Sequence, residues 1–160
     1  MFNIVLYQPQ IPPNTGNIIR LCANSGSILH LIRPLGFSAS EKSLRRAGLD
    51  YHHMTKIKIY DSLEDFLEDI DPMRLFAITK FGSKIYSDAI FKKNNFLLFG
   101  SETSGLPDSF LENIEASQKL FIPMIQNSRS LNLSNAVSLI LYVAWRQNGF
   151  YRGGKLSHED

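Results

Sequence analysis

Short apolar runs alternate with helical periodicities along the whole chain. Phe2 to Tyr7 is an apolar run closed by Pro9, Pro12 and Pro13, which predicts a buried strand followed by a turn. A helix should follow, with Asn14 as its cap and Gly26 at its end. Ile18, Leu21 and Cys22 recur there at helical spacing, and Asn17, Arg20 and Asn24 fall on the opposite, polar side. Ile28 to Ile32 reads as a second strand, and Ser38 with Glu41 forms a capping-box pattern for a helix that Gly48 can terminate. Further strands are expected at Lys56 to Tyr60, Arg74 to Thr79, Asn95 to Gly100 and Leu120 to Ile122. Between them, Ser62 to Asp69 reads as a helix capped by Asp61, and Pro107 suits the first turn of a helix running towards Asn113.

Strands separated by helical patterns predict an α/β fold: a mostly parallel sheet with helices on both faces. In such folds ligands collect at the carboxyl ends of strands, which here directs attention to the loops after Thr79, Phe99 and Ile122. The last helix, Leu133 to Gln147, carries an apolar stripe of Leu133, Ala136, Val137, Ile140 and Ala144. Asn135, Ser138, Leu139, Tyr142 and Arg146 lie on its other side with Trp145 at the border. That mixed surface fits a partner interface, for which a second copy of the chain is the simplest occupant.

Composition narrows the class. A chain of 160 residues with 44% apolar content fits one core, and no internal repeat or linker divides it. No apolar run is long enough to span a membrane, and the amino terminus lacks the layout of a secretory signal, so a cytoplasmic protein is expected. The single cysteine, Cys22, falls among core positions of a helix and can form neither an internal disulfide nor a cysteine-based zinc site. The net charge of +2 does not by itself indicate nucleic acid. Lys42, Arg45, Arg46, His52, His53, Lys56 and Lys58 concentrate positive charge locally, as an RNA-facing surface or an ordinary solvated one would.

Three segments place small or amide side chains just after predicted strands, where backbone can approach a ligand. Asn14 to Arg20 reads equally as a capped helix start or as part of a site. Phe99 to Gly105 has two glycines with the spacing of a phosphate loop, but Leu106 and Pro107 replace the required Lys and Ser or Thr, which argues against nucleoside-triphosphate hydrolysis. Asn127 to Asn135, after Ile122-Pro123-Met124, holds more short hydrogen-bonding side chains than one helix cap needs, which favours a polar ligand. Neither a Gly-x-Ser-x-Gly elbow nor a Gly-x-Gly-x-x-Gly turn is present, and His52-His53 lacks metal-ligand spacing.

Together, Asn14-Thr15-Gly16-Asn17-Ile18-Ile19-Arg20, Phe99-Gly100-Ser101-Glu102-Thr103, and Ile122-Pro123-Met124 with Ser128 to Asn135 resemble the three motifs of the SPOUT methyltransferases in order and spacing. The resemblance is closest to the minimal TrmL (YibK) group, which lacks an added RNA-binding domain. It extends to Leu44 to His52 and Ala144 to Gln147, and so covers residues 1–150 as one domain, leaving 151–160 as a tail. It implies a trefoil knot near the carboxyl end, a contradiction of the general rule that chains do not thread. It implies S-adenosyl-L-methionine as cofactor, bound by Ile78, Thr79, Gly100, Ile122, Ser130, Leu131 and Asn132. It further implies a homodimer, no metal, and 2'-O-methylation of the wobble cytidine or modified uridine of leucine tRNAs.

In that family the first-motif arginine reaches the partner subunit's pocket, which assigns Arg20 to catalysis. Glu102, Ser128 and Asn135 are the further candidates for orienting cofactor and ribose. A guanidinium is effectively always protonated, so Arg20 fits stabilisation of developing alkoxide charge better than proton abstraction. Arg45, Arg46, His52 and Tyr142 are the candidate RNA contacts, with dimer packing as the competing role for Tyr142. Two other functions remain open: a non-catalytic RNA-binding protein that keeps the fold, and a methyltransferase acting on a small molecule.

Overall fold

The computed structural model describes residues 1–38, 40, 42, 46 and 55–156. Most of the helix expected from Ser38 to Gly48, and the candidates Arg45 and His52, lie outside the described residues. Seven strands form one parallel sheet in the order β3-β2-β1-β6-β4-β7-β5. They are β1 (Asn3–Tyr7), β2 (Ile28–Ile32), β3 (Ile57–Tyr60), β4 (Leu75–Ile78), β5 (Lys84–Ile85), β6 (Phe96–Phe99) and β7 (Lys119–Phe121). The described α-helices are α1 (Pro12–Ser25), α2 (Leu63–Glu68), α3 (Asp108–Glu112) and α4 (Leu133–Gln147).

Central strands are apolar on both sides because both faces are covered. Alternation along each strand divides the core into two layers. Ile4, Leu6, Leu29, Leu31, Leu97 and Phe99 face α1 and α4, where Ile18, Ile19, Cys22, Val137, Ile140 and Ala144 complete one layer. Val5, Ile32, Ala77, Leu98 and Phe96 turn the other way, towards Leu63 and Phe66 of α2 and Phe110 and Leu111 of α3. Burial pushes the Cys22 thiol up to about 12, so it is inert packing.

Several local expectations are corrected. Asn14 does not cap α1: the helix begins at Pro12, so Asn14 lies inside its first turn, buried. Two prolines at the helix start lose nothing, because those amides have no intrahelical acceptor in any case. Ser62, rather than Asp61, caps α2, accepting from the Asp65 amide. Trp145 is buried at 7% exposure, and Leu141 joins the stripe. The chain turns back after α4, so Phe150 packs edge-on to the indole, whose Nε1 donates to the Tyr151 carbonyl at 3.0 Å. That return is tertiary and has no trace in the helical periodicity.

The two-residue strand β5 gave no sequence signal. Its position is nevertheless decisive. Leu120 pairs with Ile78 of β4 on one side and with Lys84 of β5 on the other, so the segment 79–83 crosses over β7. Gly82 makes the crossing possible: a Cβ there would stand 2.4 Å from the Leu120 carbonyl carbon. The Thr79 amide donates to the Leu120 carbonyl at 2.9 Å and the Ser83 amide to that of Lys119 at 3.1 Å, so the crossing segment is stitched to the strand beneath it.

Candidate active site

At the carboxyl ends of β1, β6, β4 and β7 the loops leave a cleft of about 710 Å³. Its volume lies within the range of roughly 300–1,000 Å³ usual for cofactor and small-ligand sites. Ile78 and Thr79 enter it from the end of β4, Gly100 from the end of β6, and Ile122 from the end of β7. Ser130, Leu131 and Asn132 close the side that leads into α4. Every residue expected at the cofactor therefore borders one cleft. Phe99, Leu106, Leu133 and Ala136 supply apolar wall, and Glu102 and Asp108 supply carboxylates, with Lys80 and Arg129 as cations.

Each wall has a local cause. The chain turns after β4 because the Thr79 carbonyl accepts from the Gly82 amide at 3.0 Å and its hydroxyl accepts from the Phe81 amide at 3.2 Å. Residues 101–105 close on themselves through two backbone bonds between Ser101 and Gly105, 3.0 and 3.1 Å long. Gly100 lies so close beneath that loop that a Cβ would be 2.5 Å from the Gly105 carbonyl carbon. The Asn132 side chain caps α4, accepting from the amides of Ser134 at 2.9 Å and Asn135 at 3.4 Å.

Side chains join the three segments at the cleft. Glu102 reaches from its loop to the start of α1, where one carboxylate oxygen accepts from the Gln10 amide at 2.9 Å and the other from the Ile11 amide at 2.8 Å. The Asn14 side-chain nitrogen also donates to Glu102, at 3.2 Å, and the Asn14 oxygen accepts from Asn132 Nδ2 at 2.9 Å. A carboxylate is well placed at the positive end of a helix. Glu102 thus holds the residues that lead into α1 through the Gln10 and Ile11 amides, and Asn14 bridges the two other segments. An amide is the side chain suited to this, since it donates and accepts at once. Its chemistry was visible in the sequence, whereas its partners, 88 and 118 residues away, were not.

The remaining candidates lie off the cleft wall. Arg20 is on the exposed side of α1. Ser128 is exposed, with its hydroxyl donating to the Ile125 carbonyl at 2.7 Å. Asn135 is exposed in the first turn of α4, and Tyr142 is 43% exposed further along, edge-on to Trp145. Arg46 is exposed. Among the described residues no group of three or more His, Cys, Asp or Glu side chains could hold a metal ion, and no helix is long and apolar enough to cross a membrane.

Comparison with known proteins fits this geometry. A tRNA (cytidine(34)-2'-O)-methyltransferase of Escherichia coli K12 is 55% identical over 150 residues, covering 94% of this chain and 96% of that protein. A solved structure concerned with the 2-OH methylation of C/U34 on tRNA superposes with a TM-score of 0.86 at 44% identity, over 94% of this chain and 97% of that one. The SpoU methyltransferase AviRb of Streptomyces viridochromogenes, solved in complex with the cofactor AdoMet, superposes with a TM-score of 0.79 at 25% identity, over 92% of this chain and 60% of that one. The model of the SpoU rRNA Methylase family matches residues 1–142, and with a fold and a cleft that agree, this chain belongs to that family.

Proposed function

We propose that the chain transfers a methyl group from S-adenosylmethionine to the ribose 2'-hydroxyl of the wobble nucleotide, cytidine or a modified uridine, of leucine tRNAs, as a cytoplasmic homodimer. Residues 1–150 act as one domain and 151–160 as its tail. The observation that carries this reading is the convergence of the three sequence segments on one cleft, in a chain 55% identical to the Escherichia coli enzyme of that name.

The cleft suits the cofactor chemically. Apolar wall from Ile78, Phe99, Leu106 and Ala136 alternates with polar groups of Thr79, Ser130 and Asn132, as an amphiphilic ligand with an apolar and a polar side requires. Ile78, Thr79, Gly100, Ile122 and Leu131 would hold it largely through backbone, with Ser130 and Asn132 adding side-chain hydrogen bonds. When bound, it supplies an electrophilic methyl group on a sulfonium. The protein then has to align the ribose oxygen and manage the proton that oxygen loses.

Arg20 supplies electrostatic help: its guanidinium stabilises charge developing on the ribose oxygen and grips an adjacent phosphate, while the proton leaves to phosphate or water. Arg20 points outward from α1 and does not line its own subunit's cleft, which supports a dimer in which each cleft is completed by the other chain. Ser128 and Asn135, exposed near the start of α4, are available to orient ribose across that junction. Glu102 contributes by fixing α1 against the cleft. Tyr142 offers an exposed ring on which an unstacked base can lie.

The test is to incubate the protein with labelled S-adenosylmethionine and tRNA from cells lacking the gene, digest the RNA, and identify the methylated nucleoside by mass spectrometry. A 2'-O-methyl mark at the wobble position is expected. Label elsewhere, or none although the cofactor binds, overturns the substrate; failure to bind the cofactor leaves a non-catalytic RNA-binding protein. Arg20→Ala is expected to abolish methylation with unchanged cofactor affinity, and wild-type turnover in that variant would remove Arg20 from the mechanism.

A further inference from the structure

From Ala116 to His158 the sequence contains no Asp or Glu, and none lies between Asp88 and Glu102. The fold brings these two acid-free stretches together at the carboxyl end of α4. Asn148 Nδ2 donates to the Phe91 carbonyl at 2.9 Å, and Gln147 bonds both the Ala89 carbonyl and the Phe91 amide, at 2.9 and 2.8 Å. Lys93, two residues after Phe91, places its ammonium 3.6 Å from the centre of the Tyr151 ring, and the Arg152 guanidinium lies 5.3 Å from the same ring. Tyr151 is itself 45% exposed, and Arg146, Arg152 and Lys155, within five residues of it in the chain, are exposed too. Among the described residues the one ion pair is Arg33 with Asp61, so none of these cations is neutralised by a described carboxylate.

From these observations we infer a second RNA-binding point at the carboxyl end of α4, in which Lys93, Arg152 and Lys155 hold backbone phosphates and Tyr151 supplies a ring against which a base or ribose can pack. The inference rests on the reading of the chain as an RNA methyltransferase. Cations unpaired with any described carboxylate, interleaved with an exposed aromatic, match the chemistry of a phosphate-and-base ligand. At about 1.5 Å rise per residue, Arg146 lies about 20 Å along α4 from Asn132 at the cleft. An RNA whose target ribose enters the cleft can therefore be gripped a few nucleotides away by the same rigid helix. The two ends of α4 divide the labour between chemistry and anchoring.

The experiment compares wild type with Lys93→Ala/Arg152→Ala, using tRNA from cells lacking the gene and S-adenosylmethionine. The double variant is expected to raise the KM for tRNA about tenfold or more, leaving kcat within twofold and cofactor affinity unchanged. The slope of log affinity for tRNA against log salt should fall by about two, one for each lost phosphate contact. Lys93→Arg/Arg152→Lys, which keeps both charges, should restore both readouts. An unchanged KM and salt slope in a folded double variant, or failure of the charge-preserving variant to restore them, would overturn the proposal. If the wild type binds tRNA but methylates none, the catalytic reading fails while the salt slope still decides this one.

Discussion

From β1 towards β3 the sheet is an ordinary doubly covered one, whereas from β6 towards β5 one connection, 79–83, crosses over the strand β7. The first half is held by side chains: Phe66 of α2 sits edge-on to Tyr60, His30 and Phe96, with ring centres 5.3 to 5.8 Å apart. In the second half two close main-chain contacts, Gly82 on Leu120 and Gly100 on Gly105, add to the side-chain core, where the first half has one, Gly36 on Gln10. Side-chain packing tolerates some repacking when a neighbour changes; two main chains in contact cannot repack. The cleft that carries the proposed chemistry opens in the second half, where loop positions are set to within the width of a methyl group.

Removing the central ring of the first half should have the largest effect on stability and the smallest on the cleft. Phe66→Ala is expected to cost about 3–5 kcal/mol, as for other buried aromatics. Denaturant unfolding would show the loss, and cofactor affinity of the folded fraction should stay within twofold. A large loss of affinity would mean that the two halves are coupled.

His30 tests the same half by pH. It is buried beside Phe66 with Nε2 on the Asn3 oxygen at 3.0 Å and Nδ1 without a partner, and burial, aided by Lys58 and opposed by Asp69, lowers its pKa to about 4. Its folded value lies below its unfolded value of 6.5, so the unfolded chain binds more protons in between. The contribution is complete above pH 6.5 and is lost as pH falls towards 4. At about 1.4 kcal/mol per pKa unit it amounts to about 3.5 kcal/mol at most. His30→Gln should flatten this acid limb in a pH series of unfolding curves; an unaltered limb would assign it to other groups.

In the second half, Gly82→Ala forces the crossing segment off β7 and is expected to cost about 2–3 kcal/mol. Unlike Phe66→Ala, it should also weaken cofactor binding at least tenfold in calorimetry, because Thr79 moves with it. Glu102→Ala, the mildest of the set, removes three accepted hydrogen bonds from the start of α1 and should cost about 1.5–2 kcal/mol. Glu102→Gln keeps acceptor capacity and should recover part of it, which thermal unfolding of the pair would reveal.

Much of the first half was legible in the sequence. Apolar runs gave β1 and β2, and the spacing of Ile18, Leu21 and Cys22 gave the buried side of α1 and the outward position of Arg20. The bounds of α4 match the expected Leu133 to Gln147 because Asn132 provides a strong cap and the stripe runs unbroken. Reading failed where a residue answers to a distant one. Trp145 looked like a border position until the returning tail covered it, and β5 exists because β7 offers it an edge, its own two residues carrying no periodicity.

The amino-acid sequence by itself determined the layered α/β plan, the three chemistry-bearing segments and the strand ends at which they had to lie, because these follow from local periodicity and side-chain type. Only the tertiary structure decided that the segments share one cleft, that Glu102 rather than Asn14 receives the start of α1, that the 79–83 connection crosses over β7, and that two acid-free stretches meet at the far end of α4. Each of those depends on contacts between residues tens of positions apart. Such contacts are selected by the closing of the whole core, and no local window of sequence contains them.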